Sequence, residues 1–370
     1  MKIGVDAKWY FSGPPSTRTI LQNLLPCLFK FYPQHEWIIF LDKKDKQLNF
    51  PFQQPNITIQ YVWAGMNMLS NLFVLPRHNR KYNPDIMIFQ TFPAFRQKNR
   101  SLAFIHDVLF HNYPQYFTWK EKLYFLPLRW LSQTADRIVV TSGFVAKELI
   151  KYNYRKNSGE IDIVPLGISA DFKPAAEFDP CLLRQVKEKF NLPDSFILFV
   201  GRLNARKNIE SLLKAIPLLH DKNIKVVIVG GANGKATHLE KILSTPELQN
   251  RVLMTGVVNS TELPAIYAMA KLFCFPSFAE GFGLPPLEAM AGGVPVVVSD
   301  TTSLPEVCGD APVYVDSTNP GDIAHALDHL LEDPVLYEQK RMSGLEQARK
   351  YNWDKTAHLL MLSVTNSIKQ

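Results

Sequence analysis

An α/β fold of two doubly wound, Rossmann-like domains is predicted by three features of this sequence. At 370 residues the chain is too long for one ordinary core and suits about two domains. Short apolar runs alternate with amphipathic stretches, and the alternation occurs twice, once in each half. Between the two series lies a join punctuated by proline and glycine.

In the first half, "KIGVDA", "EWIIFLD", "ITIQYVW", "DIMIFQ", "SLAFIHD" and "RIVVTS" read as buried strands, with helical patterns between several of them. The second half repeats the theme in "FILFVGR", "KVVIVGG", "RVLMTG", "LFCFPS", "VPVVVSD" and "APVYVD". Continuous apolar strands separated by helices imply parallel sheets covered on both faces. Two such series imply two doubly wound domains. The join falls near "IVPLGISADFKPAAEFDP", where Pro165, Gly167, Pro174 and Pro180 interrupt any periodicity. "YNWDKTAHLLMLSVTNSIKQ" reads as a closing helix. The expected boundaries are 1–170 and 171–350, with the helix of 351–370 packing back on the N-terminal domain. Ligands of open α/β sheets bind at carboxyl ends of strands, so the cleft between the domains is the expected site.

A chain 46% hydrophobic and 20% charged belongs with folded globular proteins. It has no uninterrupted apolar run of about 18 residues, and it starts on a strand-like segment. Neither a membrane span nor a signal peptide is expected, and the expected location is cytoplasmic. Cys27, Cys181, Cys274 and Cys308 form no CxxC pair and have no histidine at metal-ligand spacing, so they read as buried free thiols. Charge is uneven. Residues 1–170 carry 21 Lys+Arg against 11 Asp+Glu, and the remainder 20 against 23, out of totals of 41 and 34. The first half is thus suited to an anionic partner: nucleic acid, membrane surface or phosphorylated substrate.

Three strand ends could carry chemistry. "FILFVGRLNARKNIESLLKAI" ends a strand at Gly201 and brings Arg202 and Lys207 before a helix that Asn208 could cap. Such a turn suits a diphosphate, although taken alone it reads more readily as a solvated surface loop. "KVVIVGGANGK" fails as a phosphate loop, because Val229 stands where glycine is required and Ala236 follows Lys235. It reads as a plain turn. In "FAEGFGLPPLEAMAGGVPVVVSD", Gly281 and Gly283 let backbone approach a ligand, and Pro285 and Pro286 suit the first turn of a helix. That helix carries Glu288 and stops near Gly292 and Gly293. Glu280 and Glu288 are then roughly 12 Å apart at helical rise, a span comparable with that between the two sugars of a nucleotide-sugar. Two ordinary surface acids would explain Glu288 but not the Gly-Phe-Gly loop.

The segment "PSFAEGFGLPPLEAMAGGVPVVVSDTTSLPEVCGDAPVYVD" resembles the signature region of retaining glycosyltransferases of the GT-B fold, of the group 1, family-four type. Their E-x7-E element matches Glu280 and Glu288. The resemblance extends through "FVGRLNARKN", "VLMTGVVNSTELPAIYAMAKLFCFPS", "MKIGVDAKW", "FIHDVLFHNYPQYF" and "ADRIVVTSGFVAKELI", and so covers nearly the whole chain.

The resemblance implies an N-terminal acceptor domain facing a C-terminal nucleotide-sugar domain across a cleft. It implies Glu280 at the transferred sugar and Glu288 at the ribose. Loop amides from Gly281, Phe282, Gly283 and Leu284 would serve the donor sugar and phosphate, Arg202 and Lys207 the diphosphate, and Val257 and Val258 the nucleobase. His106, at a strand end, matches a family histidine that approaches the donor sugar; alone it would read as a structural hydrogen-bonder. The donor would be GDP-mannose or a UDP-sugar, with GDP or UDP as product. No further cofactor and no metal are expected, since the basic pair supplies the positive charge. One departure concerns the turn after the first strand, "WYFSGPPSTRTI". Gly13 remains, but Pro14 and Pro15 have no amide hydrogen to offer; Ser16, Thr17 and Arg18 are left to compensate.

"MNMLSNLFVLPRHNRKY" and "YFTWKEKLYFLPLRW" mix aromatic and aliphatic residues with Arg77, Arg80, Lys120, Lys122 and Arg129. They suit either an anionic membrane face or helices with a solvated basic side. The expected activity is therefore sugar transfer to a glycan acceptor, in lipid-linked form for surface polysaccharide or lipopolysaccharide. Alternatives are a soluble sugar or sugar-phosphate synthase of the same fold, a non-catalytic nucleotide-sugar-binding subunit, and a nucleic-acid binder. Nothing but charge supports the last, and no nucleic-acid partner is expected.

Overall fold

A computed structural model describes residues 1–95, 98–155, 158–231 and 237–369. The chain divides into two compact units, Met1–Gly167 with Asn352–Gln370, and Ile168–Tyr351.

The first unit is a seven-stranded parallel sheet. Its strands are β1 (Lys2–Asp6), β2 (Glu36–Asp42), β3 (Ile57–Val62), β4 (Ile86–Gln90), β5 (Arg100–Phe104), β6 (Arg137–Val140) and β7 (Ile161–Ile163). They lie in the order β3-β2-β1-β4-β5-β6-β7. The central strands are apolar on both faces: Trp37 to Leu41 of β2 and Ile86 to Phe89 of β4 are all buried. That is the pattern of strands covered by helices on each side. β7 was not expected. Its sequence Ile-Asp-Ile has one buried, one half-buried and one exposed residue, so it lacks the apolar run that marks the others. It pairs with β6 at the edge of the sheet, where Arg137 holds Asp162 at 2.6 Å.

The helix Trp353–Lys369 belongs to this unit. It packs against the helix Pro15–Phe31, and Tyr32 Oη meets His358 Nδ1 at 2.7 Å. Thr356 Oγ1 donates to the Pro165 carbonyl at 2.8 Å. A Cβ on Gly167 would lie 2.2 Å from the Trp353 backbone nitrogen, so only glycine lets the returning helix begin there.

The second unit has six parallel strands, β8 (Phe196–Val200), β9 (Lys225–Val229), β10 (Val252–Gly256), β11 (Leu272–Phe275), β12 (Val296–Ser299) and β13 (Val313–Val315). They lie in the order β10-β9-β8-β11-β12-β13. The strand order of each sheet thus reverses once, between β1 and β4 and between β8 and β11. Those are the points where open α/β sheets leave a crevice at strand carboxyl ends.

The four cysteines are free, but only Cys274 and Cys308 are buried; Cys27 is half-buried and Cys181 exposed. Cys181 stands in the first turn of the surface helix Pro180–Phe190, where its backbone nitrogen donates to the capping Asp179. No helix among the described residues is long and apolar enough to cross a membrane.

At the carboxyl end of β1 the first unit buries an ion pair. Lys8 is 1% exposed, and its Nζ lies 2.7 Å from Asp6 Oδ1. Asn71 accepts from Lys8 and donates to Asp6 at 3.1 Å and to the Phe92 carbonyl at 2.7 Å. Burial lowers the Lys8 pKa while Asp6 opposes that shift. Lys8→Ala leaves Asp6 buried without its cation and should cost about 3–5 kcal/mol in a urea unfolding titration. A change within about 0.5 kcal/mol would contradict the structural weight given to this pair.

Candidate active site

The second unit's reversal point gathers most of the residues singled out by sequence. β8 leads into a loop of residues 201–207, and β11 into one of residues 276–283. The two loops are tied together by backbone and side chain. Phe278 N donates to the Arg206 carbonyl at 2.9 Å, and Ser277 Oγ to the same oxygen at 3.1 Å.

Glu280 sits in this junction, 6% exposed. One carboxylate oxygen lies 2.7 Å from Lys207 Nζ and also accepts from Ser277 Oγ. The other lies 3.1 Å from the Arg206 guanidinium. Burial is the largest single influence and would raise the Glu280 pKa. The charges of Arg206 and Lys207, with hydrogen bonds from Lys207 and Ser277, overcome it and bring the carboxyl down to about 2. The surrounding loop is pinned too. Thr302 Oγ1 accepts from Glu280 N at 2.9 Å, and Ser303 Oγ sits 2.9 Å from the carbonyls of both Glu280 and Phe282.

Arg206 was missed by sequence reasoning, which took Arg202 and Lys207 as the basic pair. Arg202 is exposed, whereas Arg206 turns inward and also donates to the Ala279 carbonyl. The expected cap by Asn208 is a further correction. Asn208 begins the helix Ile209–Ala215 in a left-handed conformation with no side-chain cap. Its amide instead bonds the carbonyls of Pro276 at 2.9 Å and Ser317 at 2.6 Å. Asn204 supplies a cap one turn earlier, accepting from Lys207 N at 3.1 Å.

After the loop comes the helix Leu284–Ala291, with its two prolines in the first turn and Glu288 in the second. Gly283 precedes it at φ 110°, and a Cβ there would sit 2.7 Å from Leu304 Cδ2. Phe282 is buried, its ring edge-on to Tyr351 at 5.7 Å. Gly281 is buried as well, and Leu284 is half-buried. Glu288 is half-buried and accepts from Tyr267 Oη at 2.9 Å. Burial raises its pKa to about 7, against the Tyr267 hydrogen bond and the Lys207 charge, which lower it. Lys207 therefore acts on both glutamates. Val257, following β10, is 82% exposed, and Val258 is half-buried. Lys235, which ends "KVVIVGGANGK", and the Ala236 that follows it lie outside the described residues.

Gly13 and His106 belong to the first unit. His106 follows β5, and burial brings its pKa down to about 4, so the ring is neutral at physiological pH. Its Nε2 is buried and has no hydrogen-bond partner among the described residues. Gly13 precedes the helix Pro15–Phe31, whose N-cap is Pro14 and whose first residue is Pro15, with no side-chain cap. Of the residues left to compensate, Thr17 is buried, Arg18 half-buried and Ser16 exposed. One group among the described residues has metal-ligand spacing, His220 with Asp328 and Glu332. It already forms an ion-pair cluster, with His220 Nδ1 2.8 Å from Glu332 and the His220 backbone nitrogen held by Asp328 at 3.1 Å.

Two doubly wound domains, each built on its own parallel sheet, fit the two-domain Rossmann-like GT-B fold. The sequence matches the family described as Glycosyl transferases group 1 over residues 184–351, and that described as Glycosyltransferase Family 4 over residues 35–172. The chain belongs to the group 1 glycosyltransferases. It is 32% identical over 262 residues to O-antigen chain mannosyltransferase B of Escherichia coli, covering 69% of this chain and 67% of that protein. It is also 32% identical over 242 residues to the serotype-specific mannosyltransferase WbdA of Escherichia coli, covering 64% of this chain but only 29% of that longer protein. The fold is shared with sucrose-phosphate synthase from Thermosynechococcus elongatus, at a TM-score of 0.79 and 20% identity over 99% of this chain and 98% of that one. It is shared as well with Anabaena HepE, solved with UDP and glucose, at a TM-score of 0.75 and 17% identity over 99% and 100%.

The clamp on Glu280 also bears on stability. A carboxyl whose folded pKa lies below its unfolded value stabilises the fold above the unfolded pKa and loses that contribution as pH falls. Here the window runs from about 4.5 down to about 2. The stability gap between wild type and Glu280→Gln should therefore narrow as pH drops from about 5 to about 3 in urea unfolding. A gap independent of pH would mean that Glu280 is not held ionised by its cations.

Proposed function

We propose that this chain is a retaining glycosyltransferase that moves a sugar from a nucleoside-diphosphate donor, GDP-mannose or a UDP-sugar, to a hydroxyl of a glycan acceptor. The observation that carries the reading is the cluster of Lys207, Arg206 and Glu280 at the β8–β11 switch point. The relatives named as O-antigen mannosyltransferases support a mannosyl donor, and HepE was solved with UDP. A lipid-linked acceptor at an anionic membrane face is the form of this reading that the basic first half favours.

On this reading the donor diphosphate lies over the β8 loop and the start of the helix Leu284–Ala291. One Lys207 N–H is taken by Glu280; an ammonium has two further donors for phosphate oxygens. Arg202, exposed on the same loop, adds charge from solvent. Both neutralise the negative charge that grows on the leaving diphosphate. Glu280, fixed as a carboxylate, accepts hydroxyls of the transferred sugar and stabilises positive charge at its reacting carbon. Glu288 takes the ribose diol, and Val257 and Val258 meet the base. His106, neutral, serves as a hydrogen-bonding partner for the donor sugar. The bond from the anomeric carbon to diphosphate breaks as the bond to the acceptor oxygen forms on the same face. The acceptor proton passes to the leaving phosphate oxygen, so the anomeric configuration is kept without a covalent enzyme intermediate.

Incubation with GDP-mannose and UDP-sugars, followed by NMR of the first-formed product, tests the reading; an inverted anomer, or no transfer from any such donor, would sink it. Glu280→Gln should lower turnover by about 10²–10³-fold with nucleotide affinity largely kept. Because Glu288 titrates near 7, the nucleoside diphosphate should bind more tightly as pH rises through about 7, since a carboxylate accepts from both ribose hydroxyls. In calorimetric titrations with GDP and UDP, Glu288→Gln should bind more weakly and lose that pH dependence. An unchanged pH profile in the variant would remove Glu288 from the nucleotide site.

A further inference from the structure

The helix Leu263–Met269 is covered on most sides, with Pro264, Ala265, Ile266, Tyr267 and Ala268 all buried. Tyr267 is 0% exposed, and two other rings fix its own. Phe172 meets it edge-on with ring centres 5.4 Å apart, and Phe273 of β11 lies tilted against it at 5.5 Å. A buried phenol needs a partner for its hydroxyl. The partner here is the carboxylate of Glu288, whose Oε2 accepts from Tyr267 Oη at 2.9 Å.

A ring held in this way aims its hydroxyl in one direction, so the bond also fixes the carboxylate. Oε2 is used, and Oε1 has no hydrogen-bond partner among the described residues. Burial, with the adjacent Glu288 carboxylate, keeps the phenol protonated well above its ordinary pKa. Tyr267 therefore donates over the whole range in which Glu288 titrates. Burial raises the Glu288 pKa, and of the two groups that oppose it Tyr267 acts more strongly than Lys207. The reason is that a hydrogen bond donated to a carboxylate favours its charged form. Titratable groups on the other elements packed against the helix Leu284–Ala291 are engaged elsewhere, held neutral or exposed. On the helix Pro334–Arg349, Arg341 pairs with Glu338 at 2.6 Å, Tyr337 donates to the Lys271 carbonyl at 3.1 Å, and Lys340 bonds the Asp310 carbonyl at 2.9 Å. Glu346 and Arg349 of that helix are exposed, as is Glu306 of Leu304–Cys308. Cys274 and Cys308 stay thiols because burial raises both.

We propose that Tyr267 is a positioning residue for the nucleotide: its hydroxyl orients Glu288 and keeps it charged, so that Oε1 is free to accept a ribose hydroxyl at neutral pH. The inference rests on the placement of Glu288 at the ribose and adds the group that makes this placement work near pH 7. A protonated carboxyl has less acceptor capacity for a diol than a carboxylate has. Without the Tyr267 hydroxyl, burial would leave Glu288 mostly in that weaker form at pH 7.

Tyr267→Phe tests this, because it removes one oxygen and keeps the ring that Phe172 and Phe273 pack. GDP and UDP are titrated calorimetrically into wild type, Tyr267→Phe and Glu288→Gln between pH 6 and pH 9. Carbon-detected NMR follows the Glu288 carboxyl in wild type and Tyr267→Phe without nucleotide. Its midpoint should rise by about one pH unit in Tyr267→Phe, in keeping with the loss of one hydrogen bond to a charged group. Nucleotide should bind Tyr267→Phe roughly fivefold more weakly than wild type at pH 7, and the ratio should return to about one by pH 9. Glu288→Gln, which cannot ionise, should stay weak throughout. A tyrosine that served packing alone would weaken binding equally at every pH, and that result overturns the proposal. So does a Glu288 midpoint that fails to move, or full affinity in Tyr267→Phe at pH 7 while Glu288→Gln binds weakly; both outcomes leave Glu288 in the nucleotide site. Full affinity in Glu288→Gln removes Glu288 from that site, and the proposal falls with it.

Discussion

A buried carboxylate cannot stay charged without partners, and that constraint organises the second unit around Glu280. Leaving it unpaired would cost several kcal/mol. Lys207 and Arg206 from the β8 loop answer it, joined by Ser277 from the Glu280 loop itself. Because the cations and the acid lie beyond different strands, the ion pairs also fix the two strand ends against each other. Thr302 and Ser303 hold the Glu280 backbone from the other side. The left-handed Gly283, the proline-led helix and Glu288 on its second turn all take their positions from that anchored loop.

The first unit solves a similar problem in a similar place. Lys8 and Asp6 are buried at the carboxyl end of β1, and Asn71 links them to the Phe92 carbonyl just beyond β4. β1 and β4 flank that sheet's reversal point, as β8 and β11 flank the other. In each unit a lysine paired with a carboxylate closes the switch point. The difference lies in surplus charge. Lys8 has Asp6 with a neutral amide, whereas the second unit sets Lys207, Arg206 and nearby Arg202 against Glu280. Such an excess of positive charge suits a site for phosphates.

Much of this was legible in the sequence because the physics was local. Strands appear in the sequence as apolar runs, and twelve of the thirteen did so. The edge strands β3 and β10, expected to be buried, are only partly so because each has a neighbour on one side alone. The Gly-Phe-Gly turn and the proline pair marked a loop and a helix start through their own backbone limits. The residues that escaped depend on distant partners. Arg206 reads as one more surface charge in "NARKN" until the short turn Ala205–Lys207 points it inward. Asn208 has the right chemistry for a cap but bonds carbonyls 68 and 109 residues away. Glu288 owes part of its state to Tyr267, 21 residues earlier. β7 is three residues with one polar, a pattern too short to carry a period.

The central claim is that the two glutamates of one loop and helix are held in opposite states, Glu280 ionised by its clamp and Glu288 poised near neutrality by burial. Carbon-detected NMR titration of the glutamate carboxyls, assigned with Glu280→Gln and Glu288→Gln, measures this directly. The Glu288 carboxyl should titrate at about 7, and that of Glu280 should stay ionised as pH falls toward about 2. Both groups titrating together near the ordinary glutamate value of about 4.3 would contradict it.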